Sequence, residues 1–470
     1  MILALAFAVA ATLVAVDAAP DGNLHTGDTD IVAHGAKVAL DCIHLGTWSG
    51  CGKSSPDRTD VGPYPLLQYI PAAALTKITG SEADVVSGLG RVNFVAFVIA
   101  VIVVGLVTRR RSQHPAAGAL CLAFVVLSPL WYYATAGFGE MLSAVALMAL
   151  ALAVVERRPA LIVATMFLAG ISKETLPYFA FALAVLLGTS RQDRWLPPRR
   201  VLLPAAGGAV AAFAANSVFN MFRYGTLDNP FYLRDLFRVP DAGRAIRHYL
   251  LILFSPNAGV LAFWPALLIA VAIAFAAALG ARRTKEVPQL LRWLGLLGWP
   301  LAFFATASIW FSPFGWIAWG PRLEVPVLAA WAIGTVLVAP REVLDRLARF
   351  VRTGPRMAVA ATFGTILALA PAAGPWSYGL AIETLIEADG SCPRLTEIAI
   401  ERNSRQYYRC VGHFGWRRPG SVLLRSADPP TAPAVAAQVA VAMMATVLTV
   451  ELAYGGSHQA GLRGESEADG

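Results

Sequence analysis

Apolar runs dominate this chain, and their length restricts what it can fold into. A run of about 20 apolar residues crosses a hydrocarbon layer as a helix, because every backbone group must find its partner inside the segment. Runs of that kind fall at roughly 2–19, 86–107, 116–134, 138–156, 159–172, 175–189, 201–220, 258–281, 290–309, 323–340, 357–373 and 433–454. Hydrophobic residues make up 57% of the 470 positions and charged ones 14%. Those values exclude a soluble enzyme of this size. The expected fold class is an all-α polytopic membrane protein of about 12 transmembrane helices, with extracytoplasmic loops that contain short helices. The runs at roughly 159–172 and 175–189 are short for two crossings, so a re-entrant or tilted hairpin is expected there.

The basic residues orient the set. Arg109-Arg110-Arg111, Arg157-Arg158, Arg191 to Arg200, Arg282-Arg283 with Lys285, and Arg341 to Arg356 share one side if the spans alternate. The positive-inside rule makes that side cytoplasmic. The first loop (20–85), the segments 220–257 and 310–322, and a late loop (374–432) are then outside. A net charge of +8 is a signature of topology, not of nucleic-acid binding. Met1 to Ala19 ends like a cleavable signal but lacks a basic leader. A retained first helix is expected, with both chain ends inside.

Cysteine placement is an independent check. Cys42 and Cys51 lie in the first loop, Cys392 and Cys410 in the late one, and Cys121 inside a span. Two local pairs outside the membrane fit an oxidising compartment. Disulfides Cys42–Cys51 and Cys392–Cys410 are the simplest connectivity, with cross-pairing of the loops as the alternative. Cys42, His44 and Cys51 lack the spacing of a zinc site. No internal repeat is visible. The organisation expected is one membrane domain over 1–455 and a polar, Gly-rich, disordered cytoplasmic tail over 456–470.

Charge at a membrane face is costly and usually serves a purpose. Asp28 and Asp30 open a helical stretch in the first loop. Carboxylates there suit a catalytic base or a divalent-ion ligand, or they simply cap a helix. Glu140 opens the fourth span, where an acid also complements the helix dipole. Lys173-Glu174 occupies the turn of the short hairpin, either as a neutralising pair or with Lys173 aimed at a phosphate. Arg223 closes the seventh span. Arg322 follows Gly-Pro just before the tenth; it can grip a phosphate through paired hydrogen bonds or snorkel to the interface. Gly50-Cys-Gly-Lys-Ser54 imitates a nucleotide-binding loop, but Thr47 stands where the motif requires glycine and no strand precedes it.

Taken in order, these features resemble the GT-C superfamily of integral membrane glycosyltransferases, in the style of its protein O-mannosyltransferase and lipid A aminoarabinose transferase branch. The resemblance rests on Asp28 and Asp30, Pro63-Tyr-Pro-Leu-Leu67, Arg91, Glu140, Gly170-Ile-Ser-Lys-Glu174, Asn220 to Gly225, Ser255 to Pro265 and Trp319-Gly-Pro-Arg322. It implies a plasma-membrane enzyme that moves a sugar from a polyprenyl-phosphate donor to a glycan, lipid or protein acceptor on the extracytoplasmic face. Asp28, with Asp30 behind it, becomes the candidate catalytic base. Arg322 and Lys173 become donor-phosphate contacts, with Glu140, Glu174, Arg91 and Arg223 in support. No cofactor is required by the resemblance, although Asp28 and Asp30 are a conceivable divalent-cation pair. A multi-pass transporter or lipid flippase is the alternative, but such proteins show internal repeats and midplane polar residues. A non-catalytic envelope scaffold is the third reading.

Overall fold

The computed structural model describes residues 27–352 apart from 57, 112–114, 127, 136, 138, 190–196, 232–241, 256–258 and 310–321. The expected spans at roughly 2–19, 357–373 and 433–454, the late loop with Cys392 and Cys410, and the tail all lie outside the described residues. Within them the apolar runs are helices: α1 (Gly27–His44), α2 (Leu66–Thr79), α3 (Glu82–Arg111), α4 (Pro115–Val126), α5 (Leu130–Thr135), α6 (Glu140–Glu156), α7 (Pro159–Ser172) and α8 (Leu176–Gly188). There follow α9 (Arg199–Tyr224), α10 (Ala242–Phe254), α11 (Val260–Phe263), α12 (Leu267–Arg283), α13 (Val287–Ser308), α14 (Val325–Leu337) and α15 (Arg341–Arg352). Proline sits in the first turn of α7, α8, α13 and α14, where its missing N–H costs nothing.

By length and composition three described helices can cross a membrane, residues 82–108, 199–224 and 287–308, or four if α14 and α15 form one broken span. Three segments fold otherwise than expected. The run near 116–134 is not one rod but two helices, α4 and α5, and that near 258–281 divides at Trp264 into α11 and α12. The basic segment after the tenth run, expected to be loop, is helix α15, set at 98° to α14. Its Leu344 and Ala348 are buried while Arg341, Arg346 and Arg349 face outward, the pattern of a helix lying along a surface.

The short hairpin runs along α6 in both directions. α6 is about 26 Å long at 1.5 Å per residue. α7 starts beside its far end, at Arg158, and finishes at Lys173, within 3.4 Å of Glu140 at its near end. α8 returns the full distance: the space at Gly188 is bounded by Val154 of α6 and Val201 of α9. Arg292 of α13 then donates to the carbonyls of Leu186 and Leu187, closing the end of α8. The Glu140 mouth of α6 and the Arg157-Arg158 turn therefore lie at opposite ends of the bundle.

The described part of the first loop is a layer of two helices and a short ribbon. α1 and α2 pack on each other and on α3 around Val32, Ala36, Tyr69 and Val85. Between α1 and α2 runs a two-stranded antiparallel ribbon, β1 (Lys53–Ser55) and β2 (Arg58–Thr59), which the all-α expectation did not include. Cys42 and Cys51 form the expected disulfide. Cys121 is free and buried.

Candidate active site

The site forms where four separate stretches meet at one end of the bundle. α1 brings Asp28 in its first turn, α6 brings Glu140 in its first turn, the α7–α8 turn brings Lys173, and the segment entering α14 brings Arg322. Both acids gain from the partial positive charge of a helix N-terminus. Two glycines before Glu140 permit the approach. A Cβ on Gly137 would lie 2.4 Å from the short Thr29 side chain, so α1 closes on the α6 mouth against a bare position, and Gln68 of α2 fills the space beside Gly139, 2.0 Å from where a Cβ would stand. We expect Gly137→Ala to push Thr29, and Asp28 with it, away from α6. The cost of such overpacking is about 1–3 kcal/mol, to be read as a lower unfolding temperature together with reduced turnover.

Arg322 is the hub. Its Nη1 lies 2.6 Å from Asp28 Oδ2 and its Nε 2.9 Å from Glu140 Oε1. Lys173 Nζ is 3.4 Å from the same Glu140 oxygen. The Tyr64 hydroxyl donates to the other Asp28 oxygen. Arg322 and Glu140 are almost wholly buried, at 6% and 2% exposure, so these pairs act where water screens little. Desolvation alone would lower the pKa of Arg322. Glu140, Asp28 and Tyr64 more than reverse that, and the guanidinium is held well above its ordinary range.

A second pair, of a buried arginine and a partly exposed glutamate, braces the first. Arg223, at the end of α9, meets Glu174 at 2.9 Å and donates twice to Asn220 Oδ1, at 2.7 and 3.0 Å. Its Nη1 donates to the carbonyls of Gly62 (3.1 Å) and Tyr64 (2.6 Å). Asn229 also donates to Glu174. Burial raises the Glu174 carboxyl, while Arg223 and the two asparagines pull it back, leaving it above the usual carboxylate range. Arg223 thus pins the backbone of Tyr64, whose hydroxyl holds Asp28. Removing it in Arg223→Ala leaves Glu174, 23% exposed, without its counter-charge, at a cost of about 1–3 kcal/mol. A fall in unfolding temperature should follow, and the double variant with Glu174→Ala should recover part of it, the pattern of a coupled pair.

Among the candidates from sequence, Asp28, Glu140, Lys173 and Arg322 converge directly, and Arg223 with Glu174 forms the supporting layer. Asp30, two residues on in α1, is exposed. Arg91 is exposed on α3 and takes part in none of the ion pairs described at the site. Two residues escaped the sequence reading. Tyr64 sits inside a motif noted only for its prolines. Glu324, two residues after Arg322, is fully buried at the start of α14, and neither carboxyl oxygen has a hydrogen-bond partner among the described residues. Glu140 Oε2 and Lys173 Nζ also lack hydrogen-bond partners there, apart from the ion pair of Lys173. Several buried polar groups facing one region without partners are what a polar ligand would satisfy.

A divalent ion finds no ready cage. No group of three His, Cys, Asp or Glu converges among the described residues. Both Asp28 oxygens are engaged by Arg322 and Tyr64.

No family model matches the chain, and no curated protein does. Two solved structures are similar. ArnT from Cupriavidus metallidurans in the apo state aligns at a TM-score of 0.41 with 17% identity, over 90% of this chain and 72% of that one. The same protein bound to undecaprenyl phosphate gives 0.45 and 17%, over 96% and 76%. ArnT is the lipid A aminoarabinose transferase, from the branch of the GT-C superfamily that the sequence motifs resemble. TM-scores below 0.5 give that likeness no weight of its own, and the functional reading rests on the ion-pair cluster.

Proposed function

We propose that this chain is a membrane glycosyltransferase that transfers a sugar from a polyprenyl-phosphate donor to a glycan, lipid or protein acceptor at the extracytoplasmic face of the plasma membrane. One observation carries the reading: Arg322 is buried at a helix mouth and bridged to a carboxylate of the first loop, 2.6 Å away. That arrangement joins an anion-binding cation to a proton-accepting group in one water-poor place.

The chemistry follows from those groups. The donor's anomeric carbon is bound to a phosphate oxygen, and that bond breaks as the acceptor oxygen attacks. The leaving phosphate carries its charge away, and fixed cations preorganised around it stabilise the charge as it develops. Arg322 can exchange its contact with Asp28 for phosphate oxygens, which its planar fork suits, and Lys173 is a point charge beside it. Asp28 accepts the acceptor's proton, oriented by the Tyr64 hydroxyl. Glu140 holds both cations in place. Inversion at the anomeric carbon requires the 2.6 Å Asp28–Arg322 contact to open as the donor enters, so that base and phosphate flank the sugar. No step here is routed through a metal ion: among the described residues no three His, Cys, Asp or Glu side chains converge. The position of the charges supports a transferase over a transporter, because they gather at helix mouths and not near mid-helix.

Incubating purified protein with a panel of polyprenyl-phosphate sugars and following release of polyprenyl phosphate tests the proposal. Release dependent on both Asp28 and Arg322 supports it. A chain that releases nothing from any of them, or that is indifferent to both substitutions, removes it.

A further inference from the structure

Exposed apolar side chains in the first loop are clustered, and the cluster has a definite place relative to α9. The outward face of α9 carries Leu203, Val210, Phe213 and Val218, each exposed by more than half. Their spacing follows the 3.6-residue period, and α9 is long and apolar enough to cross a membrane, so this face is the one turned to lipid. The same stripe continues in register through Met221 to Gly225. There the chain between α1 and β1 is docked: Gly50 N–H donates to the Met221 carbonyl at 3.3 Å and Cys51 N–H to that of Phe222 at 2.8 Å. Ser49 Oγ lies 3.8 Å from Met221 Sδ. Gly225, with φ of +73°, ends the helix and leaves room beside Ser49 and Gly50.

The knuckle 43–53 therefore overhangs the lipid-facing side of α9 at the level where that helix ends. It presents Leu45 at 79% and Trp48 at 70% exposure. Lys53 and Arg58 on the adjoining ribbon are exposed as well. The Cys42–Cys51 disulfide closes this segment onto the end of α1. Apolar and indole side chains projecting at a helix end, with basic groups beside them, have the composition of an interfacial anchor.

We infer that the knuckle 43–53 is a phospholipid-contact site, with Leu45 and Trp48 seated at the boundary between headgroups and acyl chains and Lys53 and Arg58 facing lipid phosphate. The inference needs only that α9 crosses a bilayer, and it is independent of any donor or acceptor. Its consequence is mechanical: α1 carries Asp28 in its first turn and ends in the knuckle, so anchoring the knuckle fixes the depth of the Asp28 carboxylate relative to the bilayer.

The test uses the full chain in proteoliposomes of phosphatidylethanolamine and phosphatidylglycerol. Leu45→Cys is labelled with the fluorophore NBD without reducing the disulfide, the unsubstituted protein labelled in parallel sets the background, and Val210→Cys serves as the lipid-facing reference. The expected result is blue-shifted emission, slow reduction by dithionite, and stronger quenching by a lipid spin label near the headgroup than by one deep in the chain. The Val210→Cys label should show the reverse depth order. Dithionite reduction at the rate seen after unfolding in guanidinium overturns the inference. Protection from dithionite with no quenching by either lipid also overturns it, because protein and not lipid then covers the knuckle. Trp48→Cys repeats the measurement if the first variant does not fold.

Discussion

Arg322→Ala should reduce transfer by at least about 10²–10³-fold, the usual loss when one preorganised donor is removed from developing negative charge. The expected loss lies at the top of that range because Arg322 does three things. It bridges Asp28 and Glu140, it offers the fork for the phosphate, and it compensates carboxylate charge in a buried place. Removing it leaves Glu140 with only Lys173 and destabilises the fold, by about 3–5 kcal/mol if the site behaves as other buried pairs do. Loss of activity in this variant must therefore be separated from loss of structure. Arg322→Lys does so. It keeps the charge and much of the stability but cannot hold two oxygens in one plane, so donor affinity and turnover should stay low while the unfolding temperature recovers. Full activity in Arg322→Lys would mean that the residue serves only as an interior counter-charge.

The convergence of Asp28, Glu140, Lys173 and Arg322 was legible in the sequence because membrane chains seldom place charge at a helix mouth without a use for it. Each was recognisable from its own position in an apolar context. Who pairs with whom was not. Arg223 and Glu174 stood out singly, yet nothing local to 174 or 223 states that they meet, since the pairing depends on how α7, α8 and α9 lie against one another. Tyr64 was hidden for the same reason: its function depends on Asp28, 36 positions earlier. Glu324 was overlooked because it looked like the polar start of an apolar run, and only its complete burial sets it apart. Arg91, a cation noted for its place in a motif, is exposed on α3 and outside the ion pairs of the site. The surface helix α15 was taken for loop because its charge was weighed and its 3.6-residue apolar spacing at Leu344 and Ala348 was not.

Asp28→Asn should separate base from scaffold with little structural damage. Asparagine matches aspartate in size and caps a helix about as well, so the first turn of α1 survives. Its amide oxygen can still accept from Tyr64. What disappears is the negative charge and the ability to take a proton, and turnover should fall by about 10²–10⁴-fold, the range for loss of a general base. Donor binding should move the other way. With Asp28 neutral, Arg322 is bridged to one carboxylate and not two, its field is less compensated, and a phosphate should bind at least as tightly as before. The two variants thus have opposite signatures: Arg322→Ala weakens the donor complex, whereas Asp28→Asn preserves or tightens it and stops the chemistry. Titrating each folded variant with polyprenyl phosphate and comparing the affinities with single-turnover transfer rates reads both quantities at once. Retained turnover in Asp28→Asn would make the carboxylate a helix cap and move the search for a base to Asp30 or Glu324.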